Sequence, residues 1–216
     1  MDAAGPACSN AAMPGASIAV ASVAALLAVH LLSEWRGAPA ARAAGKLGAS
    51  LAFVALALAR RPHGAFDLAV LAGLVLSVIG DGLLLSRRRA AFLGGLAVFL
   101  LAHVAYVVAF AGRSRPSLPA GALVVLFTAG VLRWLWPHLG GMRGPVVAYC
   151  AAIGAMLWLA LGVDRAEVRL GALFFFASDL LVARDRFVRP GMTNRLAGLP
   201  LYYAAQVLLA LAIGGA

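Results

Sequence analysis

The apolar residues of this 216-residue chain fall in blocks of roughly 16 to 23, broken by short segments rich in Arg, Pro and Gly. A bilayer core takes about 20 such residues per helix. It offers the backbone no water, so each crossing segment must satisfy its own N–H and C=O groups. Blocks of this length therefore predict an all-α polytopic membrane bundle. The composition agrees: 63% of residues are hydrophobic and 12% are charged, whereas about half and a quarter are usual in soluble domains. Eight transmembrane helices are expected, at 16–33, 45–60, 65–85, 90–111, 118–136, 144–162, 165–183 and 197–214, the second being the shortest. Residues 1–15 read as a short N-terminal tail and 16–216 as a single transmembrane domain. The tail has no early Lys or Arg and so lacks the basic start of a secretory signal, which predicts a retained first helix.

A net charge of +10 raises nucleic acid as a partner, but the placement of the charge argues against it. In the eight-span scheme, twelve of the 18 Lys and Arg residues lie in the loops after the first, third, fifth and seventh spans, and six lie on the other side. The positive-inside rule then places both termini outside and the basic loops in the cytoplasm, where they attract anionic headgroups. Membrane lipids, not nucleic acid, are the expected partners. The Arg, Ala and Gly richness suits a bacterial inner-membrane protein. Cys8 and Cys150 fit no metal spacing and are expected to be unpaired, inert side chains.

Two polar stretches echo each other. "GDGLLLSR" (80–87) and "SDLLVAR" (178–184) each run from a small residue through Asp and an apolar run to Arg. Asp81 and Asp179 lie 98 residues apart. Each precedes its Arg by five or six residues, which puts it roughly 7–9 Å from the membrane surface. The following spans carry His103 and Tyr106, then Tyr203 and Gln206, each pair at i, i+3. The pattern is consistent with a four-plus-four repeat in parallel orientation. Ionisable residues in spans face the bundle interior and mark functional paths. Lys46, the single Lys beside 17 Arg, is expected to open the second span from the same side. It is a compact cation that Arg does not replace. Tyr202 and Tyr203 are neighbours, so one is expected inside and the other in the interfacial belt. "RDRFVRPGMTNR" (184–195) reads as a solvated loop.

Three chemistries are open to these residues. No HxxxH or CxxC spacing occurs among the four His and two Cys, so a three-His zinc site is not supported. A mixed site of Asp81, Asp179 and His103 stays open as an alternative. No GxSxG nucleophile is present, and Ser178, beside Asp179, points about 100° away from it on a helix. Acid catalysis by a carboxyl group remains. Where two carboxyls sit in a partly apolar site, one can hold a proton while the other ionises.

At these residues the chain resembles the YhhN family of membrane proteins, whose animal members are lysoplasmalogenases. The resemblance rests on Lys46, "GDGLLL" (80–85), "FLGGLAVFLLAHVAY" (92–106), "GALFFFASDLLVARDRF" (171–187) and "LPLYYAAQVLLAL" (199–211). The family's Lys-Pro pair is Lys46-Leu47 here. The resemblance implies hydrolysis of the vinyl ether bond of a lysoplasmalogen to a fatty aldehyde and a glycerophospho-base, without a cofactor. Asp81 and Asp179 would be the catalytic pair. Lys46, His103, Tyr106, Ser178, Tyr203 and Gln206 would bind or orient the lysophospholipid, the ether oxygen or water. A transporter using the same Asp pair is the alternative, although no line of polar residues reaches the outer face. A purely structural membrane protein is a third class.

Overall fold

The computed structural model describes residues 13–86 and 88–214; Cys8 and Arg87 lie outside them. The described residues form eight α-helices: α1 (Met13–Trp35), α2 (Pro39–Ala59), α3 (Gly64–Leu84), α4 (Arg89–Ala111), α5 (Leu118–Leu135), α6 (Arg143–Leu161), α7 (Ala166–Ala183) and α8 (Met192–Leu211). Among the described residues there is no strand. Six of the helices, α1 to α6, are long and apolar enough to cross a membrane. The other two are the more polar ones: α7 carries Glu167, Arg169 and Asp179, and α8 opens on Asn194 and Arg195.

The helices match the expected spans in order, with different ends. The second is not short. Pro39 starts it at N1, where a missing N–H costs nothing and the fixed φ suits a first turn. Lys46 therefore lies seven residues inside α2, roughly 10 Å along its axis, and does not open the helix. The stretch 184–195 is not a solvated loop. Arg184–Val188 continues α7 as a π-helical turn, a feature frequent at functional sites. Asn194 is buried, its amide donating to the Arg189 carbonyl at 2.8 Å and to Asp185 at 3.2 Å. Arg195 pairs with Glu34 of α1 and Asp185.

The most closely packed neighbours are α3 with α4, α1 with α2, and α7 with α8. Small residues set the close approaches. At Gly45 an added Cβ would sit 2.7 Å from the His30 backbone nitrogen, so α1 and α2 meet backbone to backbone. Without a hydrophobic force between helices in lipid, such contacts carry the association. By contrast α5 packs mainly on α6 and shows Leu123, Val125, Leu126 and Phe127 outward.

Helix α8 meets α1, α2, α3 and α7, and this decides the fate of the paired tyrosines. Tyr202 and Tyr203 are both buried; neither is a belt residue. With neighbours on several sides, α8 buries both of these adjacent side chains, which point about 100° apart. At the opposite end, Asp67 accepts hydrogen bonds from the His63 and Gly214 amides, both at 3.1 Å. Arg60 Nε reaches the Ile213 carbonyl at 3.0 Å, so the end of α8 is tied to α2 and α3.

Candidate active site

A cavity of about 120 Å³ lies between α2, α3, α4, α5, α6, α7 and α8, and both Asp81 and Asp179 line it. Its walls are mostly apolar, with Leu96, Phe99, Ile153 and Phe176 among them. Lys46, Ser178, Tyr149 and Tyr202 add polar groups.

The two carboxyls differ in their surroundings. Asp81 is 2% exposed and fully engaged. Lys46 Nζ stands 3.0 Å from Oδ1, and Ser50 and Tyr202 hydroxyls each lie 2.7 Å from Oδ2. A buried ion pair is tolerable when its remaining lone pairs are satisfied in this way. A further ring of bonds fixes the pair. The Tyr203 hydroxyl donates to the Lys46 carbonyl at 3.0 Å and lies 3.3 Å from Ser50 Oγ. Lys46 and Ser50 are four residues apart, hence on one face of α2.

Among the described residues Asp179 has no Lys or Arg at ion-pair distance. The Tyr149 hydroxyl donates to its Oδ2 at 2.6 Å, and His103 Nε2 stands 3.5 Å from the same oxygen. His103 is wholly buried, and its Nδ1 is 2.6 Å from the Phe99 carbonyl. A carbonyl only accepts, so Nδ1 carries a hydrogen. Nε2 is then either a bare lone pair or the second N–H of an imidazolium. It has no hydrogen-bond partner among the described residues. A lone pair facing a carboxylate would be repulsive. The arrangement calls for one proton between the two groups, on Nε2 or on Oδ2.

The remaining expected residues separate into two sets. Ser178 is buried and lines the cavity. Tyr106 and Gln206 are also buried but stand behind it, the Tyr106 hydroxyl donating to Gln206 Oε1 at 3.0 Å. Gln206 Nε2 has no partner among the described residues. Gly73 makes room for the Tyr106 ring; a Cβ there would lie 2.4 Å from it. Ser50 and Tyr149 are site residues beyond those expected, and Tyr202 was expected only as one of two neighbouring tyrosines, one inside and one in the belt. Ser50 had a signal, its i+4 spacing from Lys46. Tyr149, the single Tyr of α6, had one too, since a hydroxyl within a span requires a partner. Among the described residues no group of three or more His, Cys, Asp or Glu side chains is arranged to hold a metal ion. Cys150 is a free thiol at the cavity wall.

Residues 41–213 match the YhhN family. The chain belongs to the YhhN family. Among curated relatives, Lysoplasmalogenase TMEM86A of Bos taurus is 36% identical over 153 residues, covering 66% of this chain and 63% of that protein. Human Lysoplasmalogenase TMEM86B is 37% identical over 155 residues, 69% of this chain and 65% of the relative. The Lysoplasmalogenase of Mycobacterium bovis is 34% identical over 150 residues, 63% and 56% respectively. The matched region thus spans about three-fifths of these relatives' length. No solved structure gives a significant match.

Proposed function

We propose that this YhhN protein is a membrane hydrolase that cleaves the vinyl ether bond of a lysoplasmalogen, with Asp179 and His103 holding the proton it delivers. One observation carries this reading: a single apolar cavity presents both a proton-sharing carboxyl (Asp179) and a fixed carboxylate (Asp81). The names of the relatives support the same substrate class.

The chemistry suits those groups. The proton goes to the vinyl carbon remote from oxygen, leaving an oxocarbenium ion. Water adds to the carbon bearing oxygen and returns a proton to the Asp179–His103 pair. The hemiacetal collapses to a fatty aldehyde and a glycerol hydroxyl. One water is consumed and the acid is regenerated. Asp81, held by Lys46, Ser50 and Tyr202, offers fixed negative charge near the cation without reorganising. The Tyr202 hydroxyl and Ser178 line the space that the attacking water would occupy. Lys46 acts through Asp81, while Tyr203, Tyr106 and Gln206 brace the elements that carry the site. No cofactor enters these steps.

The same reading takes all eight helices as crossing the bilayer, in the bacterial inner membrane, with both termini outside and the cavity toward the cytoplasmic half. The arginine bias supports that orientation. The four-plus-four repeat would relate α3–α4 to α7–α8, and its support is the pairing of Asp81 with Asp179 in sequence. The decisive assay is aldehyde release from an alkenyl-lysophospholipid by purified protein. Absence of turnover on phosphocholine and phosphoethanolamine forms alike overturns the assignment.

A further inference from the structure

Two cations line the cavity, Lys46 and Arg186. Lys46 is consumed by Asp81 at 3.0 Å and is not available to a ligand. Arg186 is different. Among the described residues no carboxylate lies within ion-pair distance of it. Its sequence neighbour Asp185 is turned elsewhere, accepting from the Gly191 amide at 2.8 Å and pairing with Arg195 at 3.3 Å. Arg184 is likewise bound to Asn194.

What holds Arg186 is an aromatic face. Its guanidinium carbon lies 4.0 Å from the Phe92 ring centroid. Phe92 itself packs edge-on against Phe187, and all three residues line the cavity. The π-helical turn Arg184–Val188 carries Arg186 and Phe187 together. A stacked guanidinium keeps its N–H edge free, and that edge matches the oxygens of a phosphate.

From these contacts we infer that Arg186 is the recognition site for the phosphate of the lipid headgroup, at the exposed end of the cavity. The inference rests on the lysophospholipid reading above and adds a residue and a register to it. Arg186 follows Asp179 by seven residues, roughly 10 Å along the helix. In a lysoplasmalogen about seven bonds separate phosphorus from the vinyl carbon that takes the proton. With single bonds near 1.5 Å in a zig-zag, that is roughly 8 Å. A phosphate on Arg186 therefore brings the vinyl ether level with Asp179, leaving the hydrocarbon chain to the apolar walls beyond. Arg186 is a positioning residue; it takes no part in proton transfer.

The test compares wild type, Arg186→Gln and Arg186→Lys on two substrates: an alkenyl-glycerophosphoethanolamine, and the matching alkenylglycerol without phosphate. For Arg186→Gln we expect KM for the phosphate-bearing substrate to rise about tenfold, with kcat little changed. Turnover of alkenylglycerol should be untouched, and Arg186→Lys should fall between. An equal loss on both substrates, or no loss on either, overturns the inference.

A binding arm separates this outcome from failure of the hydrolase reading. Should wild type cleave no vinyl ether, thermal stabilisation by an acyl-lysophosphatidylethanolamine is compared with that by a monoacylglycerol. Selective loss of the phosphate-lipid effect in Arg186→Gln supports the site even then, and unchanged binding refutes it. Inorganic phosphate that stabilises wild type as strongly as the lysolipid refutes the assignment to a lipid headgroup.

Discussion

Replacing each Asp by Asn is expected to give two different defects, because the two carboxyls have different neighbours. Asp81→Asn removes the negative charge facing Lys46 at 3.0 Å in a site where Asp81 is 2% exposed. Ser50 and Tyr202 can still donate to the amide oxygen, so the main loss is the ion pair. Leaving one partner of a buried pair uncompensated costs about 3–5 kcal/mol. For a chain of this size that corresponds to a fall in Tm on the order of 10 °C. Adding Lys46→Met to Asp81→Asn removes the stranded cation and should recover most of that stability without restoring turnover. The double-variant cycle isolates the pair. Asp179→Asn leaves no charge stranded. Tyr149 and His103 meet the same Oδ2, so the amide serves one of them: its oxygen accepts from Tyr149, or its N–H donates to His103 Nε2. Stability should change by less than about 1 kcal/mol. Turnover should fall by about 10²–10⁴-fold, the usual contribution of a positioned acid. The assays are aldehyde release at saturating alkenyl-lysophospholipid and thermal unfolding in the same detergent. The reasoning fails if Asp179→Asn keeps more than about a tenth of wild-type kcat, or if it destabilises as much as Asp81→Asn.

Other perturbations test the supporting structure. Tyr149→Phe deletes the hydroxyl 2.6 Å from Asp179 and should cost about 1–3 kcal/mol, with turnover reduced; both are read in the same two assays. Gly73→Ala puts a Cβ 2.4 Å from the Tyr106 ring, an overpacking of about 1–3 kcal/mol that should appear as a lower Tm. Gly45→Ala brings a Cβ to 2.7 Å from the His30 backbone; it should loosen α1 and raise its amide hydrogen exchange selectively. Arg195→Gln should change stability by no more than about 1 kcal/mol, because that cation is 42% exposed; a larger drop in Tm would mean that the Glu34–Asp185 link holds the bundle.

The sequence by itself determined the material of this protein. Long apolar blocks leave the backbone no partner except itself, so helices were dictated before any contact was known. The two Asp residues, Lys46 and His103 were also visible, because polar groups in apolar runs are few and conspicuous. Facing was not visible. The helices are apolar nearly all round, so periodicity gives no preferred face, and the phase of each helix is set by how it packs. For this reason Tyr202 and Tyr203 looked like one buried and one interfacial residue, while the neighbours of α8 bury both. Tyr202 reaches Asp81 across 121 residues of sequence, and Tyr149 reaches Asp179 across 30. Nothing local encodes those distances. Two carboxyls that read alike in the sequence become unlike in the fold. One is held as a carboxylate by a lysine and two hydroxyls; the other shares one proton with an imidazole nitrogen 3.5 Å away. The difference in role comes from those neighbours, and only tertiary structure supplies them.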